Sequence, residues 1–238
     1  MTEPNRPADD RIICALDVPT TAEAMRLVER VEDAVGFYKI GLQLFATGGM
    51  DLARELKAQG RKVFLDWKLH DIGATVEKAA ANLAGSGCDL LTVHARPQVM
   101  AAAARGVAGS GLKVLGVTVL TSLTAQDLAD DDHALSPAEL VEHRVRQALE
   151  AGIDGVVSSP HEAGRARQIA REAGREDFLV VTPGVRPAGA ALDDQARAAT
   201  LEAALTAGAT HLVIGRPITA AADPREAARA IARSIALV

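Results

Sequence analysis

Val63-Phe64-Leu65-Asp66-Trp67-Lys68-Leu69-His70-Asp71-Ile72 begins as an apolar run and closes in alternating charges. A strand that is hydrophobic along its length, rather than at every second residue, is one covered on both faces. Seven further runs share that character: Ile12 to Leu16, Phe37 to Ile40, Leu90 to Val93, Val114 to Leu120, Gly155 to Val157, Phe178 to Val181 and His211 to Ile214. Each is short, rich in Val, Ile, Leu or Phe, and bounded by Gly, Pro or polar residues. Between them lie Ala-, Glu- and Arg-rich segments of helical period, such as Ala22 to Val35 and Leu44 to Gln59. Strict alternation of strand and helix predicts a parallel sheet. Eight such units predict a closed α/β (β/α)8 TIM barrel rather than an open doubly wound sheet.

Local punctuation agrees with that pattern. Thr20 with Glu23, and Ser136 with Glu139 behind Pro137, read as helix-initiating capping boxes, and Asp223-Pro224-Arg225-Glu226 repeats the logic before the last helix. Gly60, Gly87, Gly111, Gly152, Gly174 and Gly208 each follow a helical segment, where a left-handed cap favours glycine. The interval between the fifth and sixth strands is longer than the rest. Thr121 to Ser136, with Asp130-Asp131-Asp132, reads there as a solvated loop. No linker interrupts the 238 residues. We therefore expect a flexible segment over 1–10 and one barrel domain over 11–238.

The net charge of -5 excludes a sequence-independent nucleic-acid binder, which needs a basic face. At 3% aromatic content there are also few platforms for stacking single-stranded bases. Cys14 and Cys88 lack metal-ligand spacing and read as buried reduced thiols. The leading residues lack the apolar core of a signal peptide, and no later stretch is apolar for long enough to span a bilayer. The expectation is a cytoplasmic protein without membrane or nucleic-acid partners.

Barrel enzymes place their chemistry at the C-terminal ends of strands. Those positions hold Asp17, Lys39, Asp66, Lys68, Asp71, His94, Thr121, Ser122, Pro183-Gly184-Val185-Arg186 and Gly215-Arg216. Alternation puts Asp66 and Lys68 on one face and Trp67 on the other, where it packs beneath a helix. Lys39 ends the neighbouring strand, about 5 Å away by sheet spacing. Asp71 lies past the strand, free to fold back or to cross a subunit boundary. Spacing alone leaves two readings of these charges, a catalytic cluster or a salt-bridge layer closing the barrel. None of the six histidines makes a close metal-ligand pair, so no metal site is expected. His94 either lines the pocket or makes a structural hydrogen bond.

Phe64-x-Asp66-x-Lys68-x-x-Asp71-Ile72 resembles the signature of the orotidine 5′-monophosphate decarboxylase family. Ala15-Leu16-Asp17, Tyr38-Lys39-Ile40-Gly41, Leu120-Thr121-Ser122, Thr182-Pro183-Gly184-Val185-Arg186 and Ile214-Gly215-Arg216-Pro217-Ile218 resemble further blocks of that family, in its order. The resemblance implies conversion of orotidine 5′-monophosphate (OMP) to UMP with no cofactor. It makes Lys68 the proton donor, with Lys39, Asp66 and Asp71 completing the charged network. It implies a homodimer in which Asp71 and Thr75 enter the partner's site. Asp17 and Lys39 would hold the ribose hydroxyls, and Thr121 and Ser122 the pyrimidine edge. Arg186, Gln195, Gly215 and Arg216 would bind the 5′-phosphate. One departure is Gly73-Ala74-Thr75, where many members read Pro-Asn-Thr.

The chemistry explains the residue types. Loss of CO2 from C6 leaves an in-plane anion that no adjacent carbonyl or cofactor delocalises. Fixed positive charge must stand where negative charge develops, and a proton must follow. An ammonium flanked by carboxylates supplies both. Repulsion between a carboxylate and the substrate carboxylate, about 4 kcal/mol at ~4 Å and a surface-like dielectric, is secondary. The phosphate contributes remote binding energy. The Gly- and Ala-containing segment from Arg186 to Gln195 reads as a lid closing on it, against the alternative of a variable surface loop. Two other functions remain open on residues alone. One is a magnesium-dependent sugar-phosphate lyase such as a keto-gulonate-phosphate decarboxylase or hexulose-phosphate synthase, although Lys39 stands where those carry an acid. The other is a catalytically idle barrel that binds phosphorylated ligands.

Overall fold

The computed structural model describes residues 8–186, 199–236 and 238. Its strands are β1 (Ile12–Ala15), β2 (Phe37–Gly41), β3 (Lys62–Leu69), β4 (Leu90–His94), β5 (Lys113–Val117), β6 (Gly155–Val157), β7 (Leu179–Thr182), β8 (Val185–Arg186), β9 (Ala199–Thr200) and β10 (His211–Ile214). Every apolar run read from the sequence is a barrel strand. The barrel is closed and parallel, in the order β1-β10-β7-β6-β5-β4-β3-β2, while β8 and β9 form a separate two-stranded sheet. Helices alternate with the barrel strands, giving a single (β/α)8 TIM barrel.

The pleat sorts each strand into two cores. Ile13, Ala15, Phe37, Phe64, Leu90, Leu115, Val181 and Val213 fill the barrel interior. Their neighbours Ile12, Cys14, Tyr38, Ile40, Val63, Leu65, Trp67, Leu91 and Val93 pack outward in the layer shared with the helices. Continuing the inward positions toward the C-terminal end leads from Phe37 to Lys39 and from Phe64 to Asp66. The charged residues therefore stand on an apolar floor. Trp67 faces the helix layer as expected, its ring 4.7 Å edge-on from Phe45.

Several local expectations need correction. Thr121 to Ser136 is not loop throughout, because Ala125–Asp130 is a helix opened by a capping box between Thr124 and Asp127. Leu44 to Gln59 divides into Leu42–Phe45 and Gly49–Ala58, since Gly48 adopts φ 106 between them. The fifth strand stops at Val117 rather than Leu120. After helix Pro97–Gly106 the left-handed residue is Gly109, not Gly111, whereas the other five glycine stops do take positive φ. Ser136 and Asp223 cap their helices as read, and Thr20 accepts the Glu23 N–H. Residues 1–7 of the expected flexible segment lie outside the described residues. Asp10 already pairs with Lys62 at 2.7 Å. Among the described residues no helix is long and apolar enough to cross a membrane.

Candidate active site

A cavity of about 540 Å3 opens at the C-terminal end of the barrel, within the range of small-molecule sites. Ala15, Phe64, Val117, Val157 and Val213 form its apolar lining, and Asp17, Lys39, Asp66 and Lys68 charge one wall. Pro183, Gly184, Arg186, Gly215 and Arg216 line it as well. The apolar floor lowers the local dielectric, which strengthens every charge interaction above it.

The four charged residues make a continuous chain from the loop after β1 across β2 to β3. Lys39 Nζ donates to Asp17 Oδ1 at 2.9 Å and lies 3.5 Å from Asp66 Oδ2, while Lys68 Nζ donates to Asp66 Oδ1 at 2.8 Å. The sign alternates at each step, so no like charges are adjacent. Lys39 is only 8% exposed, which requires its two carboxylate neighbours. Burial pushes the Asp66 carboxyl up, but the ammonium groups of Lys39 and Lys68 and hydrogen bonds from Lys68 and Thr92 outweigh it. The net result lies below the usual carboxylate range, so Asp66 is an anion at neutral pH. Gly41 makes room for this arrangement. A Cβ there would stand 3.2 Å from both Asp17 Oδ1 and Lys39 Nζ, and a larger side chain would push the pair apart.

Lys68 reaches the cavity from an irregular point in β3. The register against β4 runs Leu65↔Leu91 and then Leu69↔Val93, with a bulge between, and Lys68 itself has φ 50. Such bulges re-aim side chains beside functional sites. Asp66 and Lys68 do meet, as alternation implied, although Lys68 arrives through a left-handed backbone rather than a regular pleat.

Beside β1, strand β10 is followed by Gly215, the N-cap residue of the four-residue helix Arg216–Thr219. The loops after the seventh and eighth barrel strands, with the start of a short extra helix, are where TIM barrels bind phosphate. Arg186 extends this wall, and its Nη1 donates to the Val185 carbonyl at 2.9 Å. The cavity thus has an alternating ionic wall and a glycine- and arginine-bearing wall.

Not every candidate is gathered there. Thr121 lines the cavity, and Ser122 is not among its lining residues. Asp71 is exposed and accepts the Ile72 N–H, without an ion pair among the described residues. Thr75 is exposed in the first turn of helix Gly73–Ala84, which starts at the divergent Gly73-Ala74 pair without a side-chain cap. Gln195, and the expected lid beyond Arg186, lie outside the described residues. His94 does not line the cavity; its ring lies 5.2 Å from that of His70. Burial and the neighbouring His70, Lys68, Arg144 and Arg96 charges hold it below the usual histidine range. Burial and the Asp17 charge push the Cys14 thiol up to about 12, against the pull of Lys39, so no thiolate nucleophile forms beside the site. Sequence reading missed Thr92, a buried hydroxyl that donates to Asp66 Oδ1 at 3.0 Å. Its signal was a lone polar residue inside the apolar run Leu90-Leu91-Thr92-Val93.

Comparison with known proteins places this geometry among relatives. Residues 10–231 match the model of the orotidine 5′-phosphate decarboxylase / HUMPS family. A Caulobacter vibrioides protein named orotidine 5′-phosphate decarboxylase is 63% identical over 229 residues, spanning 96% of this chain and 98% of that protein. One of the same name from Rhodopseudomonas palustris is 52% identical over 231 residues, spanning 97% of each. A crystal structure of orotidine 5′-phosphate decarboxylase from Lactobacillus acidophilus superposes with a TM-score of 0.82 at 36% identity, covering 95% of this chain and 99% of that one.

Proposed function

The chain belongs to the orotidine 5′-phosphate decarboxylase / HUMPS family, and from that premise we propose a residue-by-residue account of its reaction. The reaction is decarboxylation of OMP to UMP and CO2, a step of pyrimidine nucleotide synthesis. The magnesium-lyase and idle-barrel alternatives have no support among the named relatives.

In this reading the substrate lies across the cavity with its phosphate toward Gly215, Arg216 and Arg186. Backbone N–H groups and guanidinium forks suit a dianion there, and Gln195 joins them. Asp17 and Lys39 take the ribose hydroxyls, and Thr121 with Ser122 the pyrimidine edge. C6 and its carboxylate then face Asp66 and Lys68. As the C6–CO2 bond breaks, its electron pair stays on C6, where the Lys68 ammonium stabilises the anion and delivers a proton. The ammonium must stand in place beforehand, and Asp66 holds it there, 2.8 Å away. That single contact, inside an apolar-floored cavity, carries the proposal. A preorganised charge costs no reorganisation when the anion forms, which is why such groups dominate barrier lowering. No step calls for a metal or cofactor.

Asp71 completes the network from a second copy of the chain. In one chain its carboxylate is exposed, and the adjacent Ile72 leaves 76% of its surface uncovered. Exposed Leu42 and Phe45 add further uncovered apolar surface. A homodimer that covers these groups would bring Asp71 and Thr75 to the partner's cavity. The cytoplasm suits the protein, whose Cys14 and Cys88 are both free and buried. The direct test of the reaction follows OMP absorbance with no added metal and then with EDTA. Unchanged turnover supports the proposal, and turnover that EDTA abolishes would favour the metal-dependent lyase.

A further inference from the structure

Thr92 lies in the middle of β4, is 0% exposed and does not line the cavity. Its hydroxyl is nonetheless fully engaged with the site. It donates to Asp66 Oδ1 at 3.0 Å and accepts the backbone N–H of Lys68 at 3.0 Å. The same Asp66 Oδ1 accepts from Lys68 Nζ at 2.8 Å. One side chain therefore touches both the anchor of the ammonium and the backbone that carries it.

The bulge explains why this hydroxyl is needed. Between Leu65↔Leu91 and Leu69↔Val93, β3 advances further than β4, so the regular ladder is interrupted. The Lys68 N–H needs a substitute acceptor, since a buried donor left unpaired is costly. Thr92 supplies that acceptor. Lys68 also adopts φ 50, a conformation that a residue with a Cβ holds only when its surroundings impose it. A hydroxyl accepts and donates at once, which a valine of equal size cannot do and an ionised carboxylate cannot do either.

We propose that Thr92 is a positioning residue of the decarboxylation site, its hydroxyl fixing both the Asp66 carboxylate and the left-handed turn that presents Lys68. The inference rests on the assignment of Lys68 as proton donor. Because Thr92 lies outside the substrate cavity, its loss acts on the placement of the ammonium and leaves phosphate binding alone.

The experiment compares wild type, Thr92→Val, Thr92→Ser and Lys68→Ala in OMP turnover across pH, with UMP binding by calorimetry. Thr92→Val is expected to lower kcat about ten- to a hundredfold, the scale of one hydrogen bond to a charged group, with KM and UMP affinity within about threefold. Its acid limb moves to higher pH, because Asp66 has lost a donor to its charged form. Thr92→Ser restores both. Should Thr92→Val fail to give a folded circular dichroism spectrum, Thr92→Ala carries the same comparison. A kcat and acid limb equal to wild type in the hydroxyl-free variant, or a loss that serine does not rescue, overturns the role of Thr92. Lys68→Ala that still turns over OMP instead overturns the Lys68 assignment, and the Thr92 proposal with it.

Discussion

Replacing Asp66 by asparagine keeps the side-chain shape and removes one charge from the centre of the ionic wall. Asp66 faces Lys68 Nζ at 2.8 Å and Lys39 Nζ at 3.5 Å, with 15% of its side chain exposed. At an effective dielectric of 20 those two attractions are about 6 and about 5 kcal/mol before desolvation is subtracted. Desolvation of the carboxylate cancels much of this, so the net cost is set by what is left behind. Lys39 retains Asp17, whereas Lys68 loses the ion-pair partner that its own chain provides among the described residues. Breaking a buried pair from one side costs about 3–5 kcal/mol, and we expect Asp66→Asn to lose about 3 kcal/mol of stability because Lys68 is partly open to solvent. If a similar amount of transition-state stabilisation depends on the held ammonium, kcat falls about two orders of magnitude. Urea unfolding and steady-state turnover of OMP on the same preparation measure both. A variant with wild-type stability and kcat within about threefold would refute the claim that Asp66 holds Lys68 in place.

Two further outcomes test the subunit and the fold. Mixing unfolded Lys68→Ala and Asp71→Ala chains and refolding them together should recover about a quarter of wild-type sites if Asp71 acts in the partner's cavity, since half the dimers then carry one intact site. Activity no higher than that of the separate variants would place Asp71 in its own chain's chemistry. At the opposite end of the barrel, burial and then the Lys62 and Lys113 charges lower His211 from 6.5 to about 4. Its folded value lies below its unfolded one, so the unfolded chain binds the extra proton and stability falls as pH drops through that window. Between about pH 7 and about pH 5 this contributes about 2 kcal/mol of destabilisation, and His211→Gln should reduce the drop in urea midpoint accordingly. An identical drop in both proteins would refute this assignment.

The parts of the molecule legible in sequence are those governed by local pattern. A strand covered on both faces must be apolar throughout, so all eight barrel strands stood out, from Ile12 to Ile214. Asp66 and Lys68 were placed together by the same period-2 logic. What the pattern could not carry depends on contacts remote in the chain. The Asp17–Lys39 pair joins the loop after β1 to β2, and its room comes from Gly41. The Lys68 bulge is a property of the β3–β4 register, which no single run of residues encodes. The helix Ala125–Asp130 is short and runs into an acidic stretch that masks its period, although Thr124 and Asp127 spell its start. Asp71 turns to solvent in the single chain, and no sequence spacing distinguishes folding back from reaching out.

Lys68→Ala is the most direct measurement. The substitution removes the ammonium and leaves the glycine- and arginine-bearing wall of the cavity untouched. UMP should bind within a few-fold of wild type by calorimetry, while OMP turnover falls by about four orders of magnitude or more, as expected when both anion stabilisation and proton delivery are lost. Turnover within about tenfold of wild type, with UMP binding intact, would contradict a reaction centred on that ammonium.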